Sequence, residues 1–460
     1  MTSVFGNQLK IEVWGASHAP EIGITITGLP KGVVLNMDKI QAFLDRRKGG
    51  KNAYSTKRAE ADCPDIKSGV KVLENNNLET TGEALTALFY NQNTRSSDYD
   101  EMKYVPRPSH ADYTSYVKYG DGMDRSGGGM FSGRMTLPVC FAGAVLKEIF
   151  EEKGISIFAH IASVGEIKDD AFDPVNPDKT KVGTGEDFPV INKEAGEKMV
   201  EFMTACANEG DSVGGVIECA VTGLPAGIGE PLYDSMEAVI SHMMFGIPAV
   251  KGIEFGSGFK CCEMKGSNCN DPYIIKDGKV RTETNHSGGI QGGITNGMPV
   301  LFRVAMKPTP SIYKEQRTVN MKELTETTLS LKGRHDPCIV PRAVPCIEAA
   351  CAIALYNLYV QAENGTENTD SISKIREEID SLDEQIAGLI ARRMECAKEI
   401  AGNKKKEGLK VRNPEREAQV LAHVGTVSGN DKEEYVQEIY RKLIEETVRY
   451  ENSLIREEES

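Results

Sequence analysis

The chain has 460 residues, 40% of them apolar and 27% charged, with 68 acidic residues against 54 basic ones and a formal net charge of -14. That length is beyond what one hydrophobic core serves, so more than one domain is expected. The acidic balance argues against a general affinity for nucleic acid or anionic membrane, which needs a net basic surface, so any anion must meet a local basic pocket.

In chain order, residues 1–10 lack a basic segment followed by an apolar one, and no signal peptide is expected. Alternating or β-rich runs at 9–14, 22–27, 216–221 and 299–304 predict strands. Helical periodicity marks 37–46, 142–152 and 344–359, so the first part of the chain reads as α+β or layered α/β. Its most apolar run, 349–360, is too short to span a bilayer. The 11 cysteines include no C-x-x-C pair, and Cys261 and Cys262 are adjacent. This suits neither a metal site nor a disulfide framework, and predicts reduced, buried thiols in a cytoplasmic protein.

Glycine usage falls sharply along the chain: residues 371–460 hold only 5 of the 45 glycines. The polar, aperiodic segment 361–371 reads as a flexible linker between a domain at 1–360 and another at 372–460. In the second domain Ile372, Ile375, Ile379, Leu382, Ile386 and Leu389 form an apolar stripe on a long helix. A second helix is predicted after Asn413-Pro414, where Asn caps and Pro fits the first turn. Val436, Tyr440, Leu443, Thr447 and Leu454 mark a third. Three such helices bury little core alone, which favours dimerisation through them.

Chemistry concentrates in the loops of the first domain. His18, His110, His286 and His335 sit among Gly, Pro and charged residues, where a titrating imidazole is useful. Arginines share these loops: Arg46 and Arg47, Arg107 beside His110, Arg134 after three glycines, and Arg334 beside His335-Asp336. Any one of them read alone is a solvated surface side chain. The set predicts a small polyanionic substrate with a phosphorylated cofactor, because guanidinium forks bind phosphate and carboxylate and glycine lets a ligand approach the backbone. Neither a P-loop nor a G-x-G-x-x-G unit is present.

The motifs Arg46-Arg47, Arg95-Ser96-Ser97-Asp98-Tyr99, PRPSHADYTSYVKYG, GGIQGGITNG, MKPTPSI and GRHDPCIVPRAVP resemble those of chorismate synthases, over about residues 4–360. The resemblance implies a layered β-α-β sandwich of the α+β class. It also implies a 1,4-elimination of phosphate from 5-enolpyruvylshikimate 3-phosphate that gives chorismate and requires reduced FMN. Carried over, His110 would protonate the reduced flavin, His18 the departing phosphate, and Asp336 would assist removal of the ring proton. Arg46, Arg47, Lys51, Arg107 and Arg134 would bind substrate, and Ser132, Ala249, Gly292, Lys307, Ser311 and Arg334 would contact FMN. The family's G-E-S-H-G is GASHA here, its G-G-R-S-S-A-R-E-T is GGMFSGRMT with Met130 and Phe131, and a further usual arginine is Ala53. The histidines, Asp336 and most anion ligands survive, so an active divergent enzyme is expected.

In the helical domain the same steps carry the stripe to Arg393, Cys396 and Ile400, placing an arginine on an apolar seam where it needs an anionic partner or a ligand. Lys404 lies on nearly the same face, Arg416-Glu417 opens the second helix, and Thr447 and Glu451 share a stripe on the third. With Arg376, these residues resemble the all-helical chorismate mutases, over about residues 372–455. That resemblance implies an all-α three-helix dimer that turns chorismate into prephenate without a cofactor, with Arg376 entering from the partner chain. Asn413 stands where one common pattern has Asp, and Glu451 where it often has Gln. Together the two resemblances imply a bifunctional, cytoplasmic shikimate-pathway enzyme. It would be a homotetramer through the synthase, with no nucleic-acid or membrane partner and an external flavin reductase, since no nicotinamide fingerprint is present. The competing expectation is a helical tail that senses chorismate or assembles the oligomer without turnover.

Overall fold

A computed structural model describes residues 2–49, 60–74, 77–91, 104–122, 126–183, 188–331, 336–366, 371–429 and 432–457, with the side chains of 365–366, 371–377 and 455–457 outside the description. The chain divides into two compact units, Met1–Gly365 and Thr366–Ser460.

The first unit holds two five-stranded antiparallel sheets. One orders Thr2–Phe5, Lys10–Gly15, Glu21–Thr27, Leu85–Tyr90 and Asp65–Ser68. The other orders Ile167–Lys168, Ser156–Val164, Gly215–Thr222, Val300–Met306 and Val250–Phe255. Helix Thr136–Glu152 touches strands of both sheets, and its buried residues run nearly all round, as befits a helix sandwiched between layers. Gly143 lets it approach the helix Val340–Thr366 closely: a Cβ there would lie 2.3 Å from Ala349 Cα. One apolar core joins these helices to both sheets, giving the layered β-α-β architecture expected.

One buried carboxylate ties the layers together. Glu348 accepts from Arg46 Nη2 at 2.8 Å and Arg46 Nη1 at 2.9 Å, from Lys147 Nζ, and from the Ala159 backbone at 3.2 Å. Burial pushes its pKa up, but Arg46 and Lys147 outweigh that and hold it at about 2.

The expected strands and the helix at 37–46 appear within two residues of their predicted bounds, while the helices expected at 142–152 and 344–359 run longer, as Thr136–Glu152 and Val340–Thr366. Three expectations change. Residues 361–366 continue the helix Val340–Thr366 instead of forming a flexible linker, and the next helix starts at Ser371. The stretch Val340–Asn364 is long and apolar enough to cross a membrane, yet 89% of its most apolar window is buried, so the core explains its composition. The cysteines are free, but Cys63, Cys261, Cys262 and Cys396 are exposed rather than buried.

The second unit is three helices, Ser371–Glu407, Pro414–Ser428 and Glu433–Glu457. Asn413 caps the second, its Oδ1 accepting from Arg416 N at 3.0 Å, with Pro414 in the first turn. On the first helix the buried residues are Ala397 and Ala401, whereas Cys396 and Ile400, expected on the seam, are exposed. They continue the face of Ile379, Leu382, Ile386 and Leu389, which is also exposed in this unit by itself.

Candidate active sites

In the first unit a glycine loop brings the two candidate histidines together. Gly127, Gly128 and Gly129 have φ of 60°, 92° and 54°, a run that only glycine adopts readily. A Cβ on Gly127 would lie 2.0 Å from His18 Cε1, and one on Gly128 would lie 3.4 Å from His110 Nε2. Ser17, fully buried, pins its own segment to this loop: its N donates to Gly129 O at 3.1 Å and its Oγ to Ser126 O at 3.1 Å. Ser17 Oγ also lies 3.1 Å from His18 Nδ1.

His110 is oriented by a residue that sequence reading passed over. Asp112 Oδ1 lies 2.6 Å from His110 Nδ1, and the same carboxylate accepts from Arg107 Nε at 2.7 Å and Nη2 at 2.8 Å. Burial pushes the Asp112 carboxyl up, and the hydrogen bonds from Arg107 and His110 outweigh it, holding it far below the usual range. With Nδ1 so engaged, His110 presents Nε2 to the glycine loop.

Buried arginines form an anion cradle nearby. Asp62 accepts from Arg47 Nη2 at 2.8 Å through one oxygen and from Arg134 Nη1 through the other. Arg134 Nε donates to Asn91 Oδ1 at 2.9 Å, and Asn91 Nδ2 donates to Ala19 O at 2.8 Å, which couples the cradle to the His18 segment. Arg47 Nε and Arg134 Nη2 are buried without a partner among the described residues. An unmet buried donor costs on the order of 1–3 kcal/mol, so one on each of two arginines that share Asp62 makes the cluster a candidate to take an acceptor from outside. Asp336, the third catalytic candidate, accepts from Arg342 Nη1 at 2.5 Å, and Arg342 Nε donates to Arg47 O at 2.9 Å. All three candidates thus connect to the cradle or to the glycine loop beside it. Arg46 does not, because its fork is taken up by Glu348.

Of the residues expected to hold FMN, Lys307 and Ser311 contact the loop that carries His110, Ala249 pairs with Lys307, and Ser132 follows the glycine loop. Lys307 Nζ donates to Ser109 O at 2.6 Å, Lys307 N donates to Ala249 O at 2.9 Å, and Ser311 Oγ accepts from Arg107 Nη1 at 3.2 Å. Ser132 Cβ would lie 3.6 Å from a Cβ on Gly128. Burial, then the neighbouring Lys251, lowers the pKa of Lys307. The Lys307 ammonium, the Ser132 and Ser311 hydroxyls and the Arg107 guanidinium form a donor set that fits a phosphorylated cofactor. Gly292 lies in the turn of the hairpin Ile290–Gln291 and Ile294–Thr295, with open space where a Cβ would stand. Lys51, Ala53, Arg334, His335 and the 95–99 motif lie outside the described residues. Of the loop departures, Phe131 is partly exposed at 37%.

In the helical unit, Arg393 Nη1 donates to Thr447 Oγ1, and Lys404 Nζ donates to Glu451 Oε2 at 2.9 Å and to Val411 O at 2.5 Å. Thr447 and Glu451, one turn apart, are buried at 6% and 5% exposure. A basic pair from one helix therefore faces a polar pair on another inside the unit. Glu417 pairs instead with Arg412 at 3.1 Å, and Arg416 Nη1 donates to Gln419 Oε1 at 3.3 Å. The Arg376 side chain lies outside the described residues. Ile379, Leu382, Ile386 and Leu389 are 48–65% exposed in this unit by itself.

A family model for chorismate synthase matches residues 9–360, and one for chorismate mutase type II matches residues 375–452. The chain is 44% identical over 350 residues to a chorismate synthase of Thermococcus gammatolerans, covering 76% of this chain and 95% of that protein. It is 42% identical over 362 residues to a chorismate synthase of Dehalococcoides mccartyi, covering 79% of this chain and 98% of that one. A solved crystal structure of chorismate synthase superposes with a TM-score of 0.59 at 25% identity, covering 78% of this chain and 93% of that chain. The chain belongs to the chorismate synthase family and carries a chorismate mutase type II domain as its second unit.

Proposed function

We propose that the first unit releases phosphate from 5-enolpyruvylshikimate 3-phosphate to give chorismate, and that the second rearranges chorismate to prephenate. The single observation that carries the first half is the pair of buried guanidinium donors on Arg47 and Arg134 without a partner among the described residues, with Arg134 tied through Asn91 to the backbone of the segment that carries His18. Arg47, Arg134 and Arg107 bind the anionic groups of the substrate, with Lys51 joining them. His18 holds a proton for the departing phosphate, Asp336 takes the ring proton, and His110 keeps a proton on Nε2 toward the glycine loop. Ser132, Ala249, Gly292, Lys307, Ser311 and Arg334 would hold reduced FMN, which when bound lends electron density to the eliminating ring. Closure of these groups around the substrate excludes water and strengthens every charge interaction among them.

The second half is supported by the buried Arg393–Thr447 and Lys404–Glu451 pairs. Arg393 and Lys404 meet the carboxylates of chorismate, with Arg416, Glu417 and Arg376 completing the site and Arg376 supplied by a partner chain. The exposed apolar stripe from Ile379 to Leu389 supports a helical dimer. The synthase units assemble as a homotetramer, a separate flavin reductase supplies reduced FMN, and the free cysteines suit the reducing cytoplasm.

The test is a pair of assays on the full chain: phosphate release with reduced FMN, and prephenate formation from added chorismate without it. His18→Ala and His110→Ala should abolish only the first, and Arg393→Ala only the second. Crossed losses would overturn the assignment, and chorismate binding without turnover would turn the helical unit into a sensor.

A further inference from the structure

The guanidiniums of Arg47 and Arg134 converge on one carboxylate, that of Asp62, each taking a different oxygen. All three side chains are buried, at 5%, 6% and 2% exposure. Two cations share this one buried carboxylate, and Glu60 is a further acid whose charge acts on Arg134. A purely structural ion cluster would satisfy its donors internally. Here Arg47 Nε and Arg134 Nη2 are buried and unmet, so the cluster is incomplete without a further acceptor.

We propose that Asp62 is the positioning residue of the synthase anion site. By bridging the two arginines it cancels half of their mutual charge, and it aims their unmet N–H groups at one oxyanion of the substrate. The inference rests on the first unit acting as a synthase.

Three features point to Asp62 in this role. Its carboxylate uses one oxygen per arginine, which fixes the two forks relative to each other in a way that two separate ion pairs would not. Asn91 holds Arg134 from the other side and anchors on Ala16 O and Ala19 O, so the orientation set at Asp62 reaches the segment that carries His18. Asp62 also has φ 53°, in the left-handed region, and lies outside any strand or helix, so the backbone bends to deliver this carboxylate.

The same φ makes the test clean, because asparagine and glycine both tolerate that region. In Asp62→Asn one acceptor oxygen becomes a donor that opposes a guanidinium. In Asp62→Gly the carboxylate is gone and room is left for a small acid. Calorimetric titration of the full chain with 5-enolpyruvylshikimate 3-phosphate should give a Kd raised about tenfold or more in both variants, the effect of losing one charge-assisted hydrogen bond. In turnover, KM should rise with Kd while kcat changes less. Added formate should restore affinity to Asp62→Gly and leave Asp62→Asn unchanged. Unchanged affinity in the asparagine variant would overturn the proposal. Tighter binding would also overturn it, showing that Asp62 competes with the substrate. Failure of the wild-type chain to bind the compound at all would overturn the synthase reading itself.

Discussion

Asp112 Oδ1 lies 2.6 Å from His110 Nδ1 while the same carboxylate grips Arg107 through two of its nitrogens, so one acid orients both a candidate proton carrier and a candidate anion ligand. Replacing it with asparagine removes the charge that favours a proton on His110 and the acceptor that fixes its ring. Asp112→Asn should slow phosphate release by roughly 100-fold, the low end of what positioned acid–base catalysis contributes. Phosphate release at an unchanged rate in this near-isosteric variant would reduce Asp112 to packing.

Gly127 is a steric requirement of the same site. A side chain there needs both a positive φ of 60° and the space already held by the His18 ring. Gly127→Ala should displace His18 and cut phosphate release by two orders of magnitude or more, on the order of what loss of a positioned acid costs. Prephenate formation, which belongs to the other unit, should be unchanged. Assaying both activities on the one variant chain checks this.

Glu348 governs stability rather than chemistry. Removing its charge strands the partly buried Arg46 guanidinium and Lys147 ammonium, and breaking a buried pair costs about 3–5 kcal/mol. Glu348→Gln should therefore lower the unfolding transition of the synthase unit markedly. The sign with pH follows from its depressed pKa of about 2. Its contribution is fully present above the unfolded value near about 4.3 and is lost as pH falls toward 2. Thermal melts of the wild-type chain from pH 6 down to pH 3, compared with the variant, should draw closer together as pH falls.

Glu451 is expected to make prephenate formation sensitive to pH. A carboxylate paired with Lys404 can accept but not donate, so only its protonated form can hydrogen-bond the ether oxygen whose bond breaks. Prephenate formation should fall as pH rises, and Glu451→Gln, which donates at every pH, should flatten the profile. A flat wild-type profile would remove Glu451 from that role.

Arg393 should behave as a ligand group rather than a structural one. Its Thr447 partner is neutral, and no ion pair is formed by the guanidinium among the described residues. Arg393→Ala should weaken chorismate binding by roughly 2–5 kcal/mol, the usual loss for a truncated charge pair, with little change in the melt. Fluorescence or calorimetric titration with chorismate, alongside the melt, separates the two effects.

The sequence by itself determined much of this protein. Glycine frequency divided the chain close to where the two units part, and apolar periodicity placed the strands from Lys10–Gly15 to Val300–Met306 and all three C-terminal helices. These signals are local, because strand and helix periods and an Asn-Pro cap are written in neighbouring residues. The loop motifs marked His18, His110, Arg47 and Arg134 because histidines and arginines set among glycines are unusual enough to stand out.

Tertiary structure decided what no local signal carries. Arg46 and Arg47 are adjacent in the chain, yet one is committed to Glu348, 302 residues away, and the other to Asp62. Asp62 itself lies in an aperiodic stretch with nothing to distinguish it from the other 67 of the 68 acidic residues. Its significance comes only from long-range packing, which buries two guanidiniums on one carboxylate and leaves a donor on each without a partner. Burial and charge pairing are properties of residues distant in sequence, so a site built from them becomes visible only once the chain has folded.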